Sequence, residues 1–135
     1  MIRLYTDGSY RDGVCSWAYV IVDEYDNIIE QEQGTTDDYP ESRNVAGEIK
    51  AVIYGLRRCA INRFYDIDIY NDYIGLEKWL TGEWQAKTEL TQIYVKMMQD
   101  VVSKVFPVRF HHVKAHSGDH WNEYVDRMAK EVIGL

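Results

Sequence analysis

Three strand signals stand in succession at the start of this chain before any helix signal appears, and that order restricts its fold more than any other feature. Ile2-Arg3-Leu4-Tyr5-Thr6 is an apolar, β-prone run that passes straight into Asp7-Gly8-Ser9, where Gly8 reads as a sharp exit. Cys15 to Val22 is a second such run, and Asp26-Asn27 reads as the turn into a third, Ile28 to Gly34. Strands that follow one another this closely make an antiparallel meander.

After a polar loop, Thr35 to Arg43, the period changes. From Asn44 to Ala60 the residues Ile49, Val52, Ile53, Leu56 and Ala60 fall on one helical stripe, with Asn44 as the candidate cap. Tyr65 to Asp72 alternates again as a strand, Tyr73 to Leu80 reads as a short helix, and Gly82 breaks it. A longer helix is expected over Glu83 to Lys104, with Leu90, Ile93, Tyr94, Met97 and Val101 on its face, stopped by Pro107. Val108 to Lys114 is the last strand. Asp119 then caps a terminal helix whose packing face is Trp121, Tyr124, Val125, Met128, Ala129 and Val132. A meander followed by crossovers predicts an α/β fold. Its mixed five-stranded sheet combines the three-strand meander with two parallel strands, flanked by helices, and 135 residues fit one domain.

A chain of net charge -7 is a poor generic binder of nucleic acid, but the charge is unevenly spread. Met1 to Lys50 carries 11 acids against 4 basic residues, whereas Ala51 to Leu135 carries 11 of each, which leaves room for a local basic surface. Cys15 and Cys59 lie in apolar surroundings without metal-like spacing, as expected of reduced core thiols. No apolar run approaches membrane-spanning length, and the start lacks a signal-peptide pattern. A cytoplasmic protein without membrane contact is expected.

Four acids set the chemistry. Asp7 and Asp72 each end a strand, Glu48 shares an edge of the first helix's apolar stripe in its first turn, and Asp126 flanks the last helix's packing face. Singly, three of them have an ordinary reading: a dipole complement for Glu48, a helix cap for Asp72, a solvated acid for Asp126. Together they conflict, because two unit charges about 4 Å apart repel by roughly 4 kcal/mol at an effective dielectric of 20. Divalent cations resolve the conflict, since hard oxygen ligands suit Mg²⁺ or Mn²⁺. The chemistry such a cluster implies is phosphodiester hydrolysis with two ions. His111-His112 is not a metal pair, because strand neighbours point to opposite faces.

Thr6-Asp7-Gly8-Ser9, Asn44-Val45-Ala46-Gly47-Glu48 and Tyr70-Asn71-Asp72, followed by Val113-Lys114-Ala115-His116-Ser117-Gly118 and Asn122-Glu123-Tyr124-Val125-Asp126, resemble the signatures of type 1 ribonuclease H over nearly the whole chain. The resemblance implies the ribonuclease H-like fold and cleavage of the RNA strand of RNA/DNA hybrids to 5′-phosphate and 3′-hydroxyl ends. It makes Asp7, Glu48, Asp72 and Asp126 the ligands of two Mg²⁺ ions, with Mn²⁺ as a substitute. His116 becomes a proton shuttle or an aid to product and metal release. Gly8, Ser9 and Asn44 match positions that meet the nucleic-acid strands, and Trp79, Trp84, Lys87 and Thr88 could contact the DNA strand by stacking and phosphate binding. A monomer is expected. The chain departs from the family pattern at Val45, Asn71 and Tyr73, and carries only Lys78 and Lys87 where many bacterial relatives have a basic protrusion. The alternatives are a hybrid-binding module without activity, or a junction resolvase or exonuclease on the same fold. The complete acid set and the histidine loop argue against both.

Overall fold

The computed structural model describes residues 1–104 and 107–135. Its strands are β1 (Ile2–Arg11), β2 (Val14–Val22), β3 (Ile28–Thr36), β4 (Ile67–Asn71) and β5 (Val108–His112). Its α-helices are α1 (Asn44–Ile61), α2 (Gly75–Thr81), α3 (Glu89–Lys104) and α4 (His120–Glu131), and a 3₁₀ turn covers Pro40–Ser42. The sheet order is β3-β2-β1-β4-β5, with β1–β2 and β2–β3 antiparallel and β1–β4 and β4–β5 parallel. This is the mixed five-stranded sheet expected from the order of periodicities.

Strand alternation divides the core in two. Tyr19 and Ile21 of β2 join Leu4, Ile67 and Ile69 beneath the α1 stripe of Ile49, Val52 and Leu56. Their neighbours Ala18, Val20 and Val22, with Tyr5, face the other way against Trp121, Val125, Met128 and Ala129 of α4. The sheet is therefore covered on both faces, as its parallel strands require. β3 forms an edge, and its Glu30, Gln31, Glu32 and Gln33 keep that edge polar.

Several local expectations need correction. β1 does not end at Asp7-Gly8; it continues to Arg11 because β2 supplies partners all along, Asp7 opposite Ala18 and Gly8 opposite Trp17. Asn44 does not cap α1: Arg43 holds the cap position without a side-chain bond, and the Ser42 hydroxyl accepts from the Ala46 N–H at 3.2 Å. With α1 starting at Asn44, Glu48 falls just past the first turn. Asp72 caps nothing either, since α2 begins at Gly75 after Ile74.

α3 starts at Glu89 rather than Glu83. Thr88 stands immediately before it and accepts from the Thr91 N–H at 3.1 Å. The buried stripe of α3 is Leu90, Tyr94 and Met98, with Thr91 beside it, whereas Ile93 and Met97 are exposed. The Tyr94 hydroxyl decides that rotation: from the core it donates to the Leu76 carbonyl at 2.8 Å, tying α3 to α2. β5 ends at His112, short of Lys114. The Asp119 cap of α4 holds, its carboxylate accepting from the Asn122 N–H at 2.9 Å.

Candidate active site

Sheet register brings the first two acids together. Parallel β1 and β4 align Tyr5 with Tyr70, whose rings stack at 4.8 Å; Asp7 and Asp72 each lie two residues further on, so they share a level and a face. β4 stops at Asn71, so Asp72 stands just beyond the ladder. Asn71, whose side chain is buried, accepts from the Tyr73 N–H at 3.0 Å and turns the chain there.

The third acid arrives because two glycines let a helix touch a strand. A Cβ on Gly8 would lie 2.4 Å from the Glu48 nitrogen, and one on Gly47 would lie 2.0 Å from the Ser16 carbonyl oxygen. With neither side chain present, the start of α1 rests directly on β1 and β2, and Glu48 reaches the exposed end of the β1–β4 ladder. The role of Gly8 is this close approach rather than a turn. Carboxylate oxygens of Asp7, Glu48 and Asp72 all lie within 4.8 Å of one another.

Asp126 sits at the rim. It belongs to α4 and ion-pairs with Lys130 at 3.1 Å, outside the trio, yet its charge is near enough to raise the pKa of both Asp7 and Asp72. Burial pushes the Asp7 carboxyl well above the ordinary range, the Asp72 charge adds to this, and a hydrogen bond with Glu48 opposes it. Glu48 is raised for the same reasons, burial first and Asp7 next. Asp72 is raised by burial and then by Asp126, against a hydrogen bond from the Asn122 side chain.

The buried Glu48 Oε2 has no hydrogen-bond partner among the described residues, an unusual condition for a carboxylate oxygen. Three convergent carboxylates, raised pKa values and an orphaned oxygen fit a hard divalent cation. Without the cation, stability is expected to fall as pH rises. The unfolded chain ionises these groups near 3.8 for Asp and 4.5 for Glu, whereas the folded chain holds their protons to higher pH. Unfolding in that interval releases protons, so each step up in pH favours the unfolded state. Melting temperatures in EDTA across pH 4.5 to 8 should decline more steeply for the parent than for Glu48→Gln, and added Mg²⁺ should recover the stability that the parent loses. Parallel curves for the two proteins would contradict the cluster.

The remaining candidates divide. Gly8 and Asn44 adjoin the acids, the Asn44 carbonyl lying against Gly8, and Ser9 follows on β1. Trp79 is half-buried in the α1-side core, 5.7 Å from Tyr73 and 5.9 Å from Trp84, so an aromatic row leads away from Asp72. Lys87 is exposed, but the Thr88 hydroxyl is already engaged with Thr91. Lys78 pairs with Glu83, which removes one of the two lysines as a free cation. His116 lies on the exposed turn before α4 with a left-handed φ of 55°, and no hydrogen bond among the described residues joins it to the acids. Asn122, two per cent exposed and close enough to Asp72 to oppose the rise in its pKa, is the site residue that sequence reasoning missed. Its spacing of four from Asp126 on an otherwise apolar helix face was the available signal.

Comparison with known proteins shows the family and the fold. The family model described as RNase H matches residues 1–134. The chain is similar to a ribonuclease H of Caldanaerobacter subterraneus, 29% identical over 98% of this chain and 91% of that protein. A ribonuclease H of Rhodopirellula baltica is 30% identical over 95% of this chain and 87% of its own length. Among solved structures, RNase H1 of Halobacterium salinarum superposes with a TM-score of 0.83 at 23% identity, covering 98% of this chain and 96% of that one. LC11-RNase H1, solved in complex with an RNA/DNA hybrid, superposes with a TM-score of 0.77 at 17% identity, over 98% and 99% of the two chains.

Proposed function

The chain belongs to the RNase H family as a type 1 ribonuclease H, and from that premise we propose that it hydrolyses the RNA strand of RNA/DNA hybrids by a two-metal-ion reaction. The observation that carries this reading is the cluster of three buried or half-buried carboxylates, within 4.8 Å of one another, around an unpartnered Glu48 oxygen. A water oxygen bonds to phosphorus as the bond from phosphorus to the 3′ oxygen breaks, leaving a 3′-hydroxyl and a 5′-phosphate.

Asp7, Glu48 and Asp72 would hold the ions, with Asp126 completing the set at the rim; Mg²⁺ is the expected ion and Mn²⁺ its substitute. When bound, a pair of such ions supplies an ionised attacking water and charge neutralisation at the leaving oxygen. The protein's own part is placement. Asn122 orients the Asp72 carboxylate, Lys130 holds Asp126 at the edge of the cluster, and the Gly8–Gly47 contact fixes Glu48 against Asp7. His116, on its exposed turn, would pass a proton to the departing 3′ oxygen or assist release of products.

Gly8, Ser9 and Asn44 would meet the RNA-side backbone. Trp79 and Trp84 would offer stacking surface to the DNA strand, with Lys87 as a phosphate contact. Hybrid selection would follow from 2′-hydroxyls on one strand and deoxyribose on the other across the minor groove. No helix among the described residues is long and apolar enough to cross a membrane, and we expect a cytoplasmic monomer. The test is incubation with Mg²⁺ and labelled RNA/DNA hybrid, single-stranded RNA, duplex RNA and DNA junctions. Cleavage confined to the RNA of the hybrid is expected; preference for any other substrate would overturn the reading.

A further inference from the structure

Asp72 is the one acid of the trio without a regular element to hold its backbone. Asp7 lies inside β1, paired to β2, and Glu48 lies inside α1. Asp72 follows the last residue of β4 and precedes α2 by two residues, so neither ladder nor helix takes up its carbonyl. The partner this carbonyl finds among the described residues is the His112 ring, whose Nε2 donates to it at 3.2 Å. His112 closes β5 directly opposite Asn71, and the next residue, Val113, donates its N–H to the Asn71 carbonyl at 2.8 Å.

We propose that His112 is a positioning residue for Asp72, fixing the backbone from which this carboxylate reaches the divalent cation; the inference rests on the ribonuclease reading above. The Val113 N–H holds the Asn71 carbonyl, while His112 and the Asn71 side chain take the carbonyl and the N–H of the Asp72–Tyr73 peptide, so both peptide units flanking the Asp72 side chain are tied down. The carboxylate then has only its own torsions to search. Groups that orient a ligand typically change metal affinity by about 10- to 100-fold when removed. A single bond to an exposed backbone carbonyl should act more weakly, at roughly 3- to 10-fold. Both the neutral Nε2–H form and the imidazolium donate, so the contact needs no particular charge on the ring. His111, its neighbour, bonds Asp68 at 2.8 Å on the other face and serves as an internal control.

The measurement is Mn²⁺ affinity by titration calorimetry without substrate, alongside kcat and KM on hybrid, for the parent and four variants. His112→Ala should weaken Mn²⁺ binding and lower kcat by about 3- to 10-fold, with KM for the hybrid held within about twofold. His112→Phe, which keeps a ring and loses the donor, should behave like the alanine variant. His112→Gln, which returns an N–H at similar reach, should recover most of the loss. His111→Ala should leave Mn²⁺ affinity unchanged. Parent-like Mn²⁺ binding in both His112→Ala and His112→Phe, or a failure of His112→Gln to rescue, would overturn the positioning role alone. A parent protein that neither binds Mn²⁺ nor cuts hybrid would overturn the ribonuclease reading and this inference with it.

Discussion

Replacing Asp7 with Asn should reduce hybrid cleavage by about a thousandfold or more while leaving the metal-free protein at least as stable as the parent. A thousandfold corresponds to about 4 kcal/mol of transition-state stabilisation, within what loss of a charged metal ligand costs. The stability half of the expectation follows from the same geometry with opposite sign. Asp7 is four per cent exposed, and burial together with the Asp72 and Asp126 charges disfavours its ionised form. An amide of equal size removes that charge, and its carbonyl oxygen can still accept from the Gly8 N–H, a bond of 2.9 Å in the parent. The melting temperature in EDTA near pH 8 should therefore rise in Asp7→Asn, while the stabilisation gained from Mg²⁺ shrinks. Single-turnover cleavage and melting curves on the same preparation check both halves. Activity within tenfold of the parent, or a metal-free protein less stable than the parent, would contradict this account of the cluster.

The second large effect is expected at a residue with no side chain at all, Gly47. Intrinsic helix propensity favours Ala over Gly by about 1 kcal/mol, so the naive expectation is stabilisation. Sterics oppose it: the new Cβ would lie 2.0 Å from the Ser16 carbonyl oxygen and 3.2 Å from the Gly8 Cα. These are backbone atoms of the sheet, which no rotamer change can move aside. The start of α1 must withdraw, at a net cost of about 3 kcal/mol or more, which lowers the melting temperature of a domain this size by roughly 10 °C. Glu48, the next residue, moves with the helix, so activity should fall by about a hundredfold even where the protein remains folded. Gly55→Ala provides the comparison. There the nearest atoms belong to the Leu4 side chain, at 2.6 and 2.9 Å, which can shift, so its cost should be clearly smaller. Equal losses at both positions would mean that the backbone contact is not what places Glu48.

Much of the architecture is carried by local pattern. The period of two in Cys15 to Val22 separates Tyr19 and Ile21 from Ala18, Val20 and Val22, and the two cores divide along that line. The 3.6 period of α1 and α4 identifies the faces that cover the sheet, and Asp119 announces the start of α4. Pattern failed where a choice depended on distant partners. Ile93 and Met97 are as apolar as Leu90 and Met98, yet α3 turns them outward because the Tyr94 hydroxyl must reach Leu76. Gly8 after Asp7 looks like a chain reversal until β2 is in place to continue the ladder.

By itself, then, the order of residues determined which segments are strands and helices, that the strands form a meander plus parallel additions, and which four acids lie next to the family's diagnostic neighbours. Those properties depend on periodicities and short motifs within a few residues of one another. Only the tertiary structure decided that Asp7, Glu48 and Asp72 form a trio, with Asp126 close beside it and paired to Lys130. It also decided that Gly8 and Gly47 are there to be touched, and that the His112 ring meets the Asp72 carbonyl. Each of these is a contact between segments far apart in the chain, set by register and steric approach, and neither quantity exists until the elements have packed.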